Sequence, residues 1–267
     1  MKKLPLALIY AFVLLIGAVL YAEQAVPVPA PSPGGDLTVS SSAQPEDSAP
    51  NSSRQPVSPA PAVPPLAWLV GVEDLTPANE ELQNYLPKQV LTKGNTLFLT
   101  AEKTADGGYV SGKAESSYAF RYGEFSFRVP TMRGAGLFPA LWMLPAHDRS
   151  YPEIDLYELI GSRPHEIYGV LHYQEGGRHY FQHRFKQNAV PDAMVLDFTW
   201  TPEKLTWSVD GMEVYSVDQN VPNEPMYFIA NLAVGGTWPG APDKNTRFPA
   251  TFALDVLKFE PVETFTR

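Results

Sequence analysis

The chain has 267 residues, a formal net charge of −9 and no cysteine, a length that suits one large domain or two small ones. Without disulfides, an exported chain must draw its stability from core burial. Nearly all of the acidity lies in residues 66–267 and no basic run interrupts it, which argues against nucleic acid and against heavily sulfated glycans as partners. A neutral glycan is the easier fit.

Residues 1–25 open with Lys2-Lys3, followed by an almost unbroken apolar run from Leu4 to Tyr21. This is the pattern of an export segment. Two fates are open, cleavage as a signal peptide near Ala22 or Ala25, or retention as a signal anchor. About 18 apolar residues are marginally enough to span a bilayer, and Lys2 and Lys3 would then stay on the cytoplasmic side. Residues 26–65 are rich in proline, serine and alanine and poor in charge, as in a disordered linker. Its reach would lie between roughly 40 Å as a coil and about 120 Å as polyproline II. The protein is expected to be exported, either secreted or held at the cell envelope by a membrane tether through residues 4–21.

Residues 66–267 read as one domain of short strands separated by turn residues, with no convincing helix longer than two turns. Strands are expected at Thr96–Lys103, Gly108–Glu115 and Gly123–Val129, the last with Phe125, Phe127 and Val129 on one face. Further strands fall at 137–144 and 167–173, then at Arg178–Phe185 and Met194–Thr201. Lys204–Val209 and Met212–Val217 flank Asp210-Gly211, the signal of a two-residue hairpin of the primed type. Met226–Val234 is nearly all apolar and suits the middle of a sheet. Thr251–Glu260 closes the domain with Phe252, Leu254, Val256 and Leu257 expected to point inward. About a dozen such strands in roughly 200 residues imply an all-β fold, a two-sheet antiparallel β-sandwich.

One stretch carries chemistry. Glu153-Ile154-Asp155-Leu156-Tyr157-Glu158 sets three carboxylates among strand-forming residues. Side chains alternate faces along a strand, so Glu153 and Asp155 point together while Glu158 would point away. One extra residue bulged at Leu156 or Tyr157 returns Glu158 to the shared face. The two glutamate backbones would then stand roughly 13 Å apart, near enough for inward-leaning side chains to approach the about 5–5.5 Å of a retaining glycosidase. Acids at alternate positions also mark a solvated sheet face, but aromatic strands on either side fit a sugar cleft better.

The Glu153–Glu158 run resembles the E-x-D-x-x-E signature of glycoside hydrolase family 16, in the bulged form of its laminarinase, agarase and carrageenase branches. Asn79-Glu80-Glu81-Leu82-Gln83-Asn84-Tyr85 is similar to the family's N-x-E-L-Q-x-Y segment. Tyr122-Gly123-Glu124-Phe125 and Gly136-Leu137-Phe138-Pro139-Ala140-Leu141-Trp142 resemble its Y-G-x-F and G-x-(W/F)-P-A-x-W runs. Ala233-Val234-Gly235-Gly236-Thr237-Trp238-Pro239-Gly240 resembles the loop typical of the laminarinase branch. These segments follow the family order over about 79 to 260. The resemblance implies a jelly-roll sandwich with a concave substrate cleft, and the laminarinase-like, endo-β-1,3-glucanase branch.

It also implies roles. Glu153 would be the nucleophile, Glu158 the acid and then the base, and Asp155 the residue between them that tunes Glu153. Glu153 would be ionised and Glu158 protonated when substrate arrives. Trp142 and Trp238 are candidates for stacking under sugar rings, while Trp68, Trp200 and Trp207 are left to the core. His172 is placed near the nucleophile, and Asn79 matches a substrate-contacting asparagine. Asn231 either orients a sugar hydroxyl or is a buried strand amide. Lys113 stands where the family often has arginine, and the usual aromatic opening strand with D-E-F-x-G is reduced to Leu66–Leu75.

No cofactor is expected for catalysis, though some members hold a structural calcium on the convex side, which here would fall to Asp255. The expected partner is a polysaccharide bound by a monomer. Two readings from other directions remain, an agarase- or carrageenase-type galactanase and a non-catalytic glycan-binding protein on the same sandwich. The acidic charge and the Gly235–Gly240 loop favour glucan, and the presence of all three acids favours catalysis.

Overall fold

A computed structural model describes residues 65–267, apart from residue 77, residues 148–149 and residues 183–191. The expected export segment and almost all of the expected linker lie outside the described residues. Among the described residues no helix is long and apolar enough to cross a membrane. The only helical turn among them is a 3-10 segment, Pro87–Gln89.

Sixteen strands lie among the described residues. They are β1 (Trp68–Leu69), β2 (Gln83–Tyr85), β3 (Val90–Lys93), β4 (Thr96–Lys103), β5 (Tyr109–Ser111), β6 (Lys113–Ser116), β7 (Tyr118–Pro130) and β8 (Leu137–Pro145). The series continues with β9 (Glu153–Leu159), β10 (Ile167–Glu175), β11 (Arg178–Gln182), β12 (Ala193–Trp200), β13 (Leu205–Val209), β14 (Met212–Val217), β15 (Met226–Val234) and β16 (Ala250–Thr266).

One layer runs β11-β10-β9-β8-β15-β6-β1, every neighbour antiparallel. The other runs β14-β13-β12-β7-β16-β4-β3, also antiparallel. Short β5 lies against the end of β4, with β2 parallel to it. The all-β sandwich expected from the strand pattern is what forms. The layers are not fully separate sheets, however, because Phe120 of β7 pairs with Met226 of β15 and joins the two ladders.

The core lies between the layers. Phe125 and Phe127 of β7 meet Phe228 of β15 edge-on, with ring centroids 5.2 and 5.4 Å apart. Tyr157 of β9 stacks on Phe252 of β16 at 5.8 Å. Trp200 and Trp207 are buried here as expected, and Trp68 packs half-buried against the same core. These large rings keep the site-bearing layer at a fixed distance from its partner, since a close-packed interior does not yield easily. Strand β15 is buried along its whole length, as its apolar run foretold.

The Asp210-Gly211 turn has φ of 49° and 81°, the doubly positive pair that a type I′ hairpin requires. Three expectations need correction. The segment 108–115 is two strands broken at Gly112. Strand β16 continues six residues past Glu260, because its far end pairs with the start of β7. Leu257 does not point inward. It is the extra residue between Val256↔Phe127 and Lys258↔Ser126, and it is 48% exposed.

Strand β7 turns at Tyr122 and Gly123, where φ is 60° and 147°. A Cβ on Gly123 would lie 2.6 Å from the carbonyl oxygen of Glu260 and 2.8 Å from Cα of Pro261. Neither backbone atom can move without breaking the β7–β16 ladder. Gly123→Ala is therefore expected to cost about 3 kcal/mol or more, read as a lower urea midpoint with unchanged slope. A loss under about 0.5 kcal/mol would show that this bend is not constrained.

Candidate active site

Strand β9 holds the acids, and its register shows how. Leu141 of β8 pairs with Tyr157 but the next residue, Trp142, pairs with Asp155, so Leu156 is an extra residue. On the other edge, Tyr168 pairs with Glu158 and Val170 with Asp155, the same surplus of one residue on β9. Leu156 and Tyr157 both enter the core. With two consecutive residues turned inward, Glu158 comes back to the face of Glu153 and Asp155, and the negative charges of those two reach it.

The neighbouring strands complete the face. His172 lies opposite Glu153 on β10, with Nε2 2.9 Å from Asp155 Oδ2 and 3.9 Å from Glu153 Oε1. The 2.9 Å contact is a close ion pair rather than an aligned hydrogen bond, since Asp155 Oδ2 has no geometrically satisfied donor. Nδ1 of His172 is 3.0 Å from Nε2 of His179 on β11, and the two rings stack. Tyr151 packs on His179 at 4.7 Å. At the Glu158 end, Tyr168 lies 4.9 Å and Phe138 5.5 Å from the half-buried Trp238. Trp142 is half-buried and its indole donates to Asn231 Oδ1 at 2.8 Å.

Burial governs the electrostatics. Glu153 and Asp155 are 5% and 2% exposed, and a buried carboxylate loses hydration. Burial, with the added charge of Asp155, pushes Glu153 up to about 8, although His172 pulls it back. Glu158 is pushed well above the usual range by burial and then by Asp155 and Glu153. For His172, burial works against the charged form but is outweighed by Asp155 and then Glu153, which carry it up to about 9. His179 is lowered by burial and by the His172 charge. His172 is thus an imidazolium at neutral pH, with Nδ1–H donating to a neutral His179. Ligand atoms of Glu153, Asp155 and His172 converge within 4.8 Å, and the imidazolium supplies positive charge at that point.

The remaining candidates fall as follows. Asn79 is half-buried with φ of 53°. Its carbonyl accepts from the Thr237 N–H at 2.8 Å and hydroxyl at 3.0 Å, tying its loop to the Trp238 loop. Its Oδ1 is buried without a partner among the described residues. Asn231 is the buried strand amide, held between Trp142 and Tyr85. Lys113 lies opposite Asn231 on β6, 3.6 Å from Asp74. Asp255 accepts from Thr96 Oγ1 at 2.5 Å and faces the Arg128 cation at 4.0 Å. Tyr168, His179, Tyr85 and Glu81 were not singled out from the sequence. Tyr168 alternates with His172 along β10, and Glu81 and Tyr85 alternate through Gln83, a period that could have shown them.

Fold and site place the chain among the β-sandwich glycoside hydrolases with an acid-lined sheet. It belongs to the glycosyl hydrolases family 16, whose model matches residues 79–252. A glucan endo-1,3-beta-glucosidase A1 from Niallia circulans is 33% identical over 180 residues, 56% of this chain and 26% of that protein. A beta-glucanase from Rhodothermus marinus is 28% identical over 215 residues, 67% of this chain and 74% of that protein. The chain therefore spans about a quarter of the first relative and three quarters of the second. The laminarinase catalytic domain of Thermotoga maritima matches with a TM-score of 0.58 at 27% identity, over 67% of this chain and 83% of that one.

The raised carboxyl groups tie stability to pH. Native Glu153 keeps its proton up to about 8, whereas the unfolded chain loses it near 4.5. Between those values the native state binds more protons, so stability falls as pH rises. His172, raised from 6.5 to about 9, acts in the same direction. Glu153→Gln is expected to melt higher than the parent, by a margin that widens from pH 5 to pH 8. A margin that shrinks with pH would contradict the assigned burial.

Proposed function

We propose that the chain is a retaining endo-acting hydrolase of β-1,3-linked glucan. One observation carries the proposal: the Leu156 bulge sets Glu153, Asp155 and Glu158 on a single face flanked by Trp142 and Trp238. The family membership and the glucan-cleaving relatives support the substrate class, and the acidic domain supports a neutral polymer.

In this reading a Glu153 carboxylate oxygen attacks the anomeric carbon while Glu158 gives its proton to the departing glycosidic oxygen. The C–O bond to the leaving chain breaks and a glycosyl ester on Glu153 forms. Glu158, now a carboxylate, takes a proton from water. The water oxygen displaces Glu153 and restores both groups. Burial raises Glu153 to about 8, against the expectation that it is already ionised when substrate arrives, so it must lose its proton before it attacks. It does so ahead of Glu158, which is held protonated more strongly. His172 opposes the rise of Glu153 by placing positive charge 3.9 Å from it. Asp155 holds His172 there and, by its own charge, keeps Glu158 protonated. Once Glu153 is esterified its charge is gone, so Glu158 stays ionised after giving up its proton and can serve as the base of the second step. The export pattern at residues 1–25 supports action outside the cytoplasm.

Reducing-sugar release should be measured on laminarin, mixed-linkage β-glucan, agarose and κ-carrageenan. Laminarin is expected to be cleaved best. Glu153→Gln and Glu158→Gln should each lower turnover by at least about 10³-fold, the scale of losing a nucleophile or an acid, with the fold retained. Preference for agarose or κ-carrageenan would overturn the substrate, and full activity in either variant would overturn the mechanism.

A further inference from the structure

A chain of buried hydrogen bonds runs from Trp142 away from the acids, and its direction is forced. An indole N–H can only donate, so Asn231 must turn its oxygen to Trp142, where the contact is 2.8 Å. The Asn231 amide nitrogen therefore faces Tyr85 and donates to its hydroxyl oxygen at 3.0 Å. The Tyr85 hydroxyl is left to donate onward, and the carboxyl whose charge acts on it is that of Glu81.

A second chain reaches the same carboxyl. The backbone N–H of Val234 donates to Gln83 Oε1 at 2.7 Å. That fixes the Gln83 amide, whose nitrogen donates to Glu81 Oε2 at 2.6 Å. Glu81 accepts from Gln83 and lies where the Tyr85 chain leads, with the Lys113 cation nearby to favour its charged form. Glu81 sits where its backbone bridges Gly235, between the Asn79 loop and the Trp238 loop. Tyr85 and Gln83 are buried, so neither can exchange its partner for water without cost.

We propose that Glu81 is a positioning residue for the sugar-stacking face of Trp142, acting through Tyr85 and Asn231. This rests on the reading that Trp142 stacks against substrate. Carboxylate at 81 lets Tyr85 and Gln83 donate together. An amide there has a single acceptor oxygen, and its NH2 group faces a donor on one side. The indole then loses the anchor that holds its plane, while the acids on β9 keep their own supports. Burial pushes Glu81 up to about 7, with Lys113 pulling it down and Asp74 pushing it up, so the relay is weaker at acid pH.

The test uses the full chain with Glu81→Gln, Tyr85→Phe and Trp142→Phe, alone and in pairs, after thermal unfolding has confirmed folding. The Trp142 indole N–H resonance, assigned by its loss in Trp142→Phe, should shift in both Glu81→Gln and Tyr85→Phe. KM for laminarin oligosaccharides should rise about fivefold in each, the scale of one net hydrogen bond, with kcat changed less than twofold. In the Trp142→Phe background neither substitution should raise KM further. An unmoved resonance, a loss confined to kcat, or the same fivefold rise without Trp142 would overturn the relay. If Glu81→Gln does not fold, Tyr85→Phe alone decides, because it removes one oxygen. A parent chain inactive on glucan would sink the proposed function, and the resonance would still report on the relay.

Discussion

The constraint on which the site depends is one surplus residue in β9. Glu153 and Glu158 are separated by an odd number of positions, and a regular pleat would drive one of them into the core. The surplus at Leu156 lets Leu156 and Tyr157 turn inward in succession. The core accepts both because β16 provides Phe252 as a flat partner for the Tyr157 ring, and the Tyr157 hydroxyl reaches the Pro130 carbonyl at 2.8 Å. The cost of interrupting the ladder is met by packing behind the sheet, and the gain appears on its other face.

That face concentrates negative charge where water is scarce. Three carboxyl groups could not all ionise there without a counterweight, and His172 is the counterweight. Its own charge is kept by Asp155 and Glu153 despite burial, and its Nδ1–H donates a hydrogen bond to His179. The acids and the histidine pair therefore form one electrostatic unit, in which the charge of any member depends on the others. Such a unit can keep one carboxyl group protonated beside another that ionises first, which acid and nucleophile chemistry requires.

Much of this was legible in the sequence, for physical reasons that can be named. The odd spacing of Glu153 and Glu158 demanded a bulge. The Asp210-Gly211 pair demanded a primed turn, and the apolar run of β15 demanded a central strand. These are local patterns with a fixed period. What stayed hidden depends on partners distant in sequence. Leu257 directly follows Val256, so an inward Leu257 needed a bulge that turned both inside. The register against β7 does slip there, but Leu257 is itself the surplus residue and stays outside. The bridge from Phe120 to Met226, the extension of β16 and the path from Glu81 to Trp142 all join segments more than 50 residues apart. Asn231 could be placed on a buried strand, but which groups it would hold could not be read from its neighbours.

The account is tested most directly by trapping the sugar on the protein. A 2-deoxy-2-fluoro laminari-oligosaccharide with a good leaving group should slow release more than formation of the glycosyl ester. Peptide mapping by mass spectrometry should then find one glycosyl group, on Glu153. An adduct on Asp155 or Glu158, or none at all from a preparation that cleaves laminarin, would contradict the claim that the bulged strand presents Glu153 as the attacking group.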